Sequence, residues 1–324
     1  MSMATSIPRR TNTMNDTTLC NLCPRACMVD RSVTRGVCGV GPRSIVARAA
    51  PHHWEEPCIS GTRGAGTVFF AGCNLHCIFC QNYEISRDAT GTEVDDNTLG
   101  DIFLRLADTG VHNLELVTAT MFVPQILRVL DHVKHRLHIP VIWNTGGYES
   151  IQTLRLLQGY IDIYLPDFKY ADPVLAQHCS DAADYPEIAS AAITEMARQT
   201  GKPVFDRDGI LQRGTLVRHL VLPGCRHDSL AVSDRLAQLF SPNEILVSVM
   251  RQYTPPTALH LPPPFDRKIT TFEYQSVCDR FSKHGFQGYF QDKQSANETY
   301  IPPFKEEEGL SLIHISEPTR LGMI

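Results

Sequence analysis

Six short apolar runs constrain the fold of this chain more than any other feature. They are residues 67–71 "TVFFA", 114–119 "LELVTA", 140–144 "PVIWN", 161–165 "IDIYL", 216–222 "LVRHLVL" and 244–250 "EILVSVM". Each has strand length and is too apolar for one face to stand in water, so burial on both faces is expected. Amphipathic stretches with helical spacing separate the early ones, such as 98–109 "TLGDIFLRLADT" and 123–136 "VPQILRVLDHVKHR". Buried strands alternating with helices imply a parallel sheet with helical crossovers. Six units fall short of the eight in a closed barrel, and a partial barrel and an open α/β sheet both satisfy the pattern. The 324 residues suffice for one large domain or two small ones.

In either architecture, ligands collect beyond the carboxyl ends of the strands. The segments that follow the six runs are "GCNLHCIFC", "TMF", "TGGYE", "PDFKY", "PGC" and "RQYTP". Polar, charged and glycine residues thus recur where such folds build their active sites.

The chain carries 11 cysteines, and their meaning depends on the compartment. The opening "MSMATSIPRRTNTMNDTT" is polar, without the apolar core of a signal peptide, and reads as a disordered lead-in. No apolar run approaches the roughly 20 residues that cross a bilayer. A net charge of −5 offers no general attraction to nucleic acid or to an anionic membrane. A cytoplasmic protein is expected, with neither as partner. In that reducing setting, clustered cysteines point to metal or redox chemistry.

Seven of them form two clusters. Cys73, Cys77 and Cys80 follow the first strand in a CxxxCxxC spacing, with Gly72 before and the polar "QN" after, which suggests a loop wrapped around something. Thiolates are the soft ligands of zinc and of iron–sulfur clusters, and a cubane normally takes four. Three leave one iron without a protein ligand, as a catalytic metal keeps a position open. Cys20, Cys23, Cys27 and Cys38, spaced CxxC-x3-C-x10-C, supply the full count for a closed tetrahedral zinc site or a second, auxiliary iron–sulfur cluster. His52 and His53 are alternative ligands there. Cys58, Cys179, Cys225 and Cys278 are scattered and read as small buried apolar residues.

"CNLHCIFC" resembles the signature of the radical S-adenosylmethionine superfamily. The resemblance implies a [4Fe–4S] cluster whose open iron is chelated by S-adenosylmethionine, reductive cleavage to a 5′-deoxyadenosyl radical, and hydrogen abstraction from a substrate. It also implies a partial (β/α)6 TIM-type barrel, here with an N-terminal cysteine-rich metal-binding module. With "CNLCPRAC…GVCGVG", "WEEPCISGTRGAGTVFF", "NTGGYES", "DIYLPDFKY" and "HLVLPG", the chain is similar over most of residues 20–303 to the branch around pyruvate formate-lyase activating enzyme. By that resemblance Phe79 packs beside the adenine, Asp167 and Lys169 match an Asp-x-Lys element near the cofactor, and Arg218 matches a basic position on the fifth strand. Gln252 or Tyr253 stands where the activases carry an adenine-contacting histidine, and Thr118 and Thr120 replace a Gly-Gly-Glu element. The implied partners are a reductant such as flavodoxin or ferredoxin and a glycyl-radical protein substrate.

Three further expectations follow from the residues themselves. Glu55 and Glu56, beside Trp54, read as a solvated edge, and Gly146–Gly147 as either a tight turn or a cofactor contact. The organisation expected is a lead-in over 1–19, a cysteine-rich module over 20–60, a barrel over 61–303 and a tail over 304–324. From about residue 310 that tail, with "SLIHISEPTR", resembles the translation of a sequencing-adapter read and is expected to pack against nothing. The competing reading of the whole is a non-catalytic iron–sulfur or zinc protein, or an electron carrier.

Overall fold

The computed structural model describes residues 19–291, so residues 1–18 of the expected lead-in, residues 292–303 of the expected barrel and the tail lie outside the described residues. The chain enters through a loop-rich segment and then forms β1 (Ile45–His52), α1 (Pro57–Ser60), β2 (Ala65–Phe70), α2 (Tyr83–Ser86) and β3 (Thr92–Glu93). Next come α3 (Asp96–Asp108), β4 (Leu114–Val117), α4 (Val123–Val133), β5 (Val141–Thr145), α5 (Ile151–Leu157) and β6 (Ile163–Pro166). A helix pair follows, α6 (Pro173–Ser180) and α7 (Tyr185–Thr200), then β7 (Val204–Phe205) and β8 (Leu211–Leu220). The last elements are α8 (Arg226–Leu239), β9 (Leu246–Met250), α9 (Thr271–Lys283) and β10 (Gly288–Phe290).

Side-chain caps fix where several helices begin. The Asp95 carboxylate accepts from the Thr98 amide at 2.8 Å before α3, and Asp172 does the same for Val174 before α6, where Pro173 presets the first turn. Thr270 and Glu273 form a reciprocal capping box at α9.

All six expected strands are present, as β2, β4, β5, β6, β8 and β9, and they run parallel in that order. The short β10 extends the row in parallel, β1 adds antiparallel to β2, and β3 to β1. The path runs β10-β9-β8-β6-β5-β4-β2-β1-β3 without closing, while β7 pairs with β8 off this path. The architecture is therefore a mixed α/β sheet bent as an open barrel. The four strands absent from the sequence reading lack its signal. β3, β7 and β10 have two or three residues each, and a register shift between Val46 and Arg48 breaks the alternation of β1. Since β1 pairs with β2, residues 45–52 continue the barrel sheet, although the sequence boundary at residue 60 groups them with the cysteine module.

Pleating sorts the strand residues by height inside the barrel. Ala65, Ile142, Ile163, Leu216 and Leu246 form one inward layer with Cys58 and Ile59 of α1, so α1 plugs the amino-terminal mouth. Two residues further along the strands stand Thr67, Asn144, Leu165, Arg218 and Ser248, where polar groups take over. Outside, Trp143 and Tyr164, both fully buried, face the helices. The interior is thus sealed and apolar at one end and polar at the carboxyl end, which is where a ligand can enter. Among the described residues no helix is long and apolar enough to cross a membrane.

Candidate metal and cofactor site

A cavity of about 540 Å³ opens at the carboxyl ends of the strands. The loop after β2 brings Cys73, Cys77 and Cys80 into its wall, and the loop after β6 brings Asp167 and Lys169. Gly72, at φ +84°, turns the chain out of β2; a Cβ there would meet Val40 at 2.6 Å and the Cys38 carbonyl at 2.8 Å. The amino-terminal cysteine segment therefore packs directly against the start of the cluster loop.

Each of the three sulfurs accepts a hydrogen bond. The Leu75 amide donates to Cys73 at 3.4 Å, the Ser180 hydroxyl to Cys77 at 3.0 Å and the Ser86 hydroxyl to Cys80 at 3.4 Å. Burial, with Cys77 adding repulsion, pushes the Cys73 thiol up to about 12, and the same two causes raise Cys80. Thiols whose ionisation is resisted at Cys73 and Cys80, in a loop where all three sulfurs have donors aimed at them, are the chemistry of a metal-thiolate site: a metal supplies the positive charge that the pocket lacks. The donor set fits an iron–sulfur cluster.

The amino-terminal cysteines show a similar pattern. Burial pushes Cys23 up to about 12 and raises Cys38, and the Val37 amide donates to the Cys27 sulfur at 3.4 Å. Cys38 lies within electrostatic reach of Cys20 and Cys27. Among the described residues no three His, Cys, Asp or Glu side chains converge as the ligands of a single ion. His52 and His53 line the barrel cavity instead of joining these cysteines.

Lys169 pairs with Asp167 at the cavity wall. Burial works against the ammonium charge, but Asp167 and the Cys77 sulfur outweigh it, and the Lys169 pKa is raised. Gly147 makes this placement possible: at φ +80° it lies so close to the Asp167 carbonyl that a Cβ would stand 2.1 Å from that oxygen. Gly147→Ala should therefore displace the Asp167 strand end and destabilise the fold by at least ~1–3 kcal/mol through backbone strain alone. A chemical-denaturation midpoint equal to wild type would contradict this. Gly147 thus answers to a turn with close backbone approach, while Gly146 faces the cavity.

Phe79 lines the cavity from an aromatic cluster, its ring 6.2 Å from Phe265 and 6.0 Å from Tyr253. Gln252, Thr118 and Thr120 also face the space. Tyr253 is buried behind it, donating to the Phe265 carbonyl at 2.6 Å.

One expectation changes here. Glu55 and Glu56 are no solvated edge: Glu56 is 9% exposed, and both carboxylates pair with Arg218. Arg218, expected as a basic position near the cofactor, does line the cavity, and these two glutamates hold its guanidinium there. The reason is topological, since α1 returns under the barrel and carries the preceding loop into the polar layer.

Glu115, on the buried face of β4, was missed in the sequence. It accepts from Thr67 at 2.9 Å and Asn144 at 2.7 Å, yet burial and the charge of Glu55 push it up to about 8. Its signal was present, a lone acid inside "LELVTA". The folded value exceeds the ordinary 4.5, so the folded state binds more protons, and this residue's contribution falls as pH rises between about 4.5 and 8. Glu115→Gln should flatten that dependence and raise stability at pH 8 relative to pH 5. Urea titrations at the two pH values check it.

A second cavity, about 420 Å³, lies at the amino ends of α3 and α4, but its arginines are engaged. Arg128 holds Asp96, Arg43 holds Glu93, and Arg31 holds backbone carbonyls.

Comparison with known proteins bears on the first cavity. Residues 60–170 match the family model of a 4Fe-4S single cluster domain. The chain is 25% identical over 273 residues to the uncharacterised protein MJ0674 of Methanocaldococcus jannaschii, covering 82% of this chain and 75% of that one. Among solved structures it is similar to a radical SAM methyltransferase from Sphaerobacter thermophilus, at 12% identity and TM-score 0.48, covering 69% of this chain and 65% of the other. It is likewise similar to Streptococcus suis SuiB bound to S-adenosylmethionine, at 13% identity and TM-score 0.48, covering 71% and 50%. A domain of pyruvate-formate lyase-activating enzyme from Bacteroides vulgatus matches at 12% identity and TM-score 0.38, covering 52% and 91%. The chain thus spans about two thirds or half of the first two solved chains. The span matched by the 4Fe-4S family model contains "CNLHCIFC", with Cys73, Cys77 and Cys80 just beyond the carboxyl end of β2.

Proposed function

We propose that this protein is a radical S-adenosylmethionine enzyme, with Cys73, Cys77 and Cys80 as cluster ligands and the 540 Å³ cavity as the cofactor and substrate chamber. The observation that carries this reading is that the three cysteines and the Asp167–Lys169 pair line one cavity. Cys73, Cys77 and Cys80 would hold a [4Fe–4S] cluster, which would supply the electron for reductive cleavage of S-adenosylmethionine. Lys169, held charged beside Asp167, suits the carboxylate of the cofactor. Phe79, Gln252 and Thr118 line the same cavity, where the ring suits the adenine and the polar side chains suit its hydrogen-bonding edge. The buried layer of Arg218, Glu56 and Glu115 lies beneath the chamber, above the apolar layer that α1 plugs. Cys20, Cys23, Cys27 and Cys38 are the residues this reading assigns to a second metal centre, zinc or an auxiliary iron–sulfur cluster. They would have to draw together to ligate it, since among the described residues no three such side chains converge on a single ion.

The branch-level reading makes a glycyl-radical protein the substrate and flavodoxin or ferredoxin the reductant. Anaerobically reconstituted protein should contain iron and sulfide in near-cubane ratio and release 5′-deoxyadenosine from S-adenosylmethionine with dithionite. A demonstrably reduced cluster that releases none would overturn the enzyme reading and leave an electron carrier.

A further inference from the structure

Among the hydrogen bonds to the cysteine sulfurs described above, the one from Ser180 to Cys77 is the shortest, at 3.0 Å. Ser180 ends α6 and is 2% exposed, so its hydroxyl has no water to turn to. Behind it the hydroxyl of Tyr170, a fully buried residue, lies 2.8 Å from the Ser180 oxygen. With the serine proton directed at sulfur, Tyr170 is the donor of that pair, and the chain Tyr170–Ser180–Cys77 polarises in one direction.

The serine is held from outside its own helix. Arg25, between Cys23 and Cys27, donates from Nη2 to the Ser180 carbonyl at 2.8 Å, from Nε to the Asn74 carbonyl at 2.8 Å, and from Nη1 to the Asp181 carbonyl. Its guanidinium lies over the Tyr148 ring, 5.3 Å from the centroid. One residue of the amino-terminal module therefore clamps the end of α6 to the loop that carries Cys73 and Cys77. The Ile78 amide adds a second tie, donating to the Cys179 carbonyl at 2.9 Å.

A donor at a ligand sulfur stabilises negative charge there. The reduced cluster carries one more electron than the oxidised, so it gains more, and the potential rises. We propose that Ser180, backed by Tyr170, tunes the reduction potential of the cluster on Cys73, Cys77 and Cys80 upward, and that Arg25 is the positioning residue for this contact. The inference rests on the cluster assignment proposed above.

The test is an EPR-monitored redox titration of the reconstituted full-length protein. At a fixed solution potential Ser180→Ala should lower the reduced-to-oxidised ratio threefold or more, about 28 mV at 59 mV per decade for one electron. Ser180→Thr should restore the wild-type ratio, because it keeps the hydroxyl. Tyr170→Phe and Arg25→Ala should shift the ratio the same way by less, with the iron of the three-cysteine cluster retained. An unchanged potential in Ser180→Ala, or in Tyr170→Phe should the first variant not fold, overturns the inference about Ser180. A wild-type potential in Arg25→Ala overturns the positioning role alone. Wild-type protein that assembles no cluster on the three cysteines overturns the proposed function as well, and iron analysis before the titration separates the two failures.

Discussion

Cys77→Ala should yield a folded protein that retains no cluster on the loop after β2 and releases no 5′-deoxyadenosine above background. Two remaining thiols leave two irons of a cubane without protein ligands, and Cys77 is the buried member on which the Ser180 hydroxyl converges. The cost to the apoprotein is modest, since the variant leaves one buried hydroxyl without its acceptor, about 1–3 kcal/mol. Iron and sulfide analysis, the near-ultraviolet absorption and a product assay with dithionite give three readings of the same loss. Cys225→Ala, outside both clusters, should keep its iron and serves as the control. A Cys77→Ala protein with full iron at this loop would refute the site.

The largest stability effect is expected at Arg218. Its guanidinium meets Glu55 and Glu56 in the polar layer of the barrel, with side-chain exposures of 9%, 12% and 8%. Arg218→Met leaves two carboxylates facing one another out of water, and loss of one partner from a buried pair costs about 3–5 kcal/mol. The penalty should depend on pH with a definite sign. In the wild type burial pushes the Glu56 carboxyl up, but Arg218 prevails and holds it below its ordinary value. Its stabilising contribution is therefore present above the unfolded carboxyl value of 4.5 and is lost only as pH falls through the lower folded value. Without Arg218, burial, the largest single influence, is opposed only by hydrogen bonds from Ser248 and the Glu56 backbone, so Glu56 should rise above 4.5 and the variant should regain stability as pH falls from 7 toward 5. The difference between wild type and variant, measured by urea unfolding, should thus shrink at pH 5. Adding Glu55→Gln and Glu56→Gln to Arg218→Met should recover most of the loss, because the charges that needed the arginine are gone. A single variant within 1 kcal/mol of wild type at pH 7 would show that water reaches this layer.

Arg218 and Phe79 mark how far the site was legible in the sequence. The cysteine loop was read correctly as a loop because its information is local: three thiols within eight residues, a glycine to turn the strand, polar residues to leave it. Asp167 and Lys169 were legible for the same reason, being two residues apart at a strand end. Phe79 was named from its place before the last cysteine, but its neighbours Tyr253 and Phe265 come from the far end of the chain. Glu55 and Glu56 looked like solvent-facing acids because nothing nearby in sequence neutralises them. Their partner stands 162 or more residues away, on β8.

Spacing and composition by themselves determined the parallel α/β core, the gathering of polar residues at the strand ends, and the clustering of Cys73, Cys77 and Cys80 on one loop. Each is written in short-range periodicity or in ligand count, which any local reading can recover. Tertiary structure alone decided that β1 closes one flank of the barrel sheet, that Arg218 serves the floor of the chamber, and that Arg25 ties the amino-terminal cysteines to Ser180. These contacts join residues up to 163 positions apart. Which side chains meet across such a span depends on how the crossovers stack the strands and on which face each pleat presents inward, and no window of sequence contains both partners.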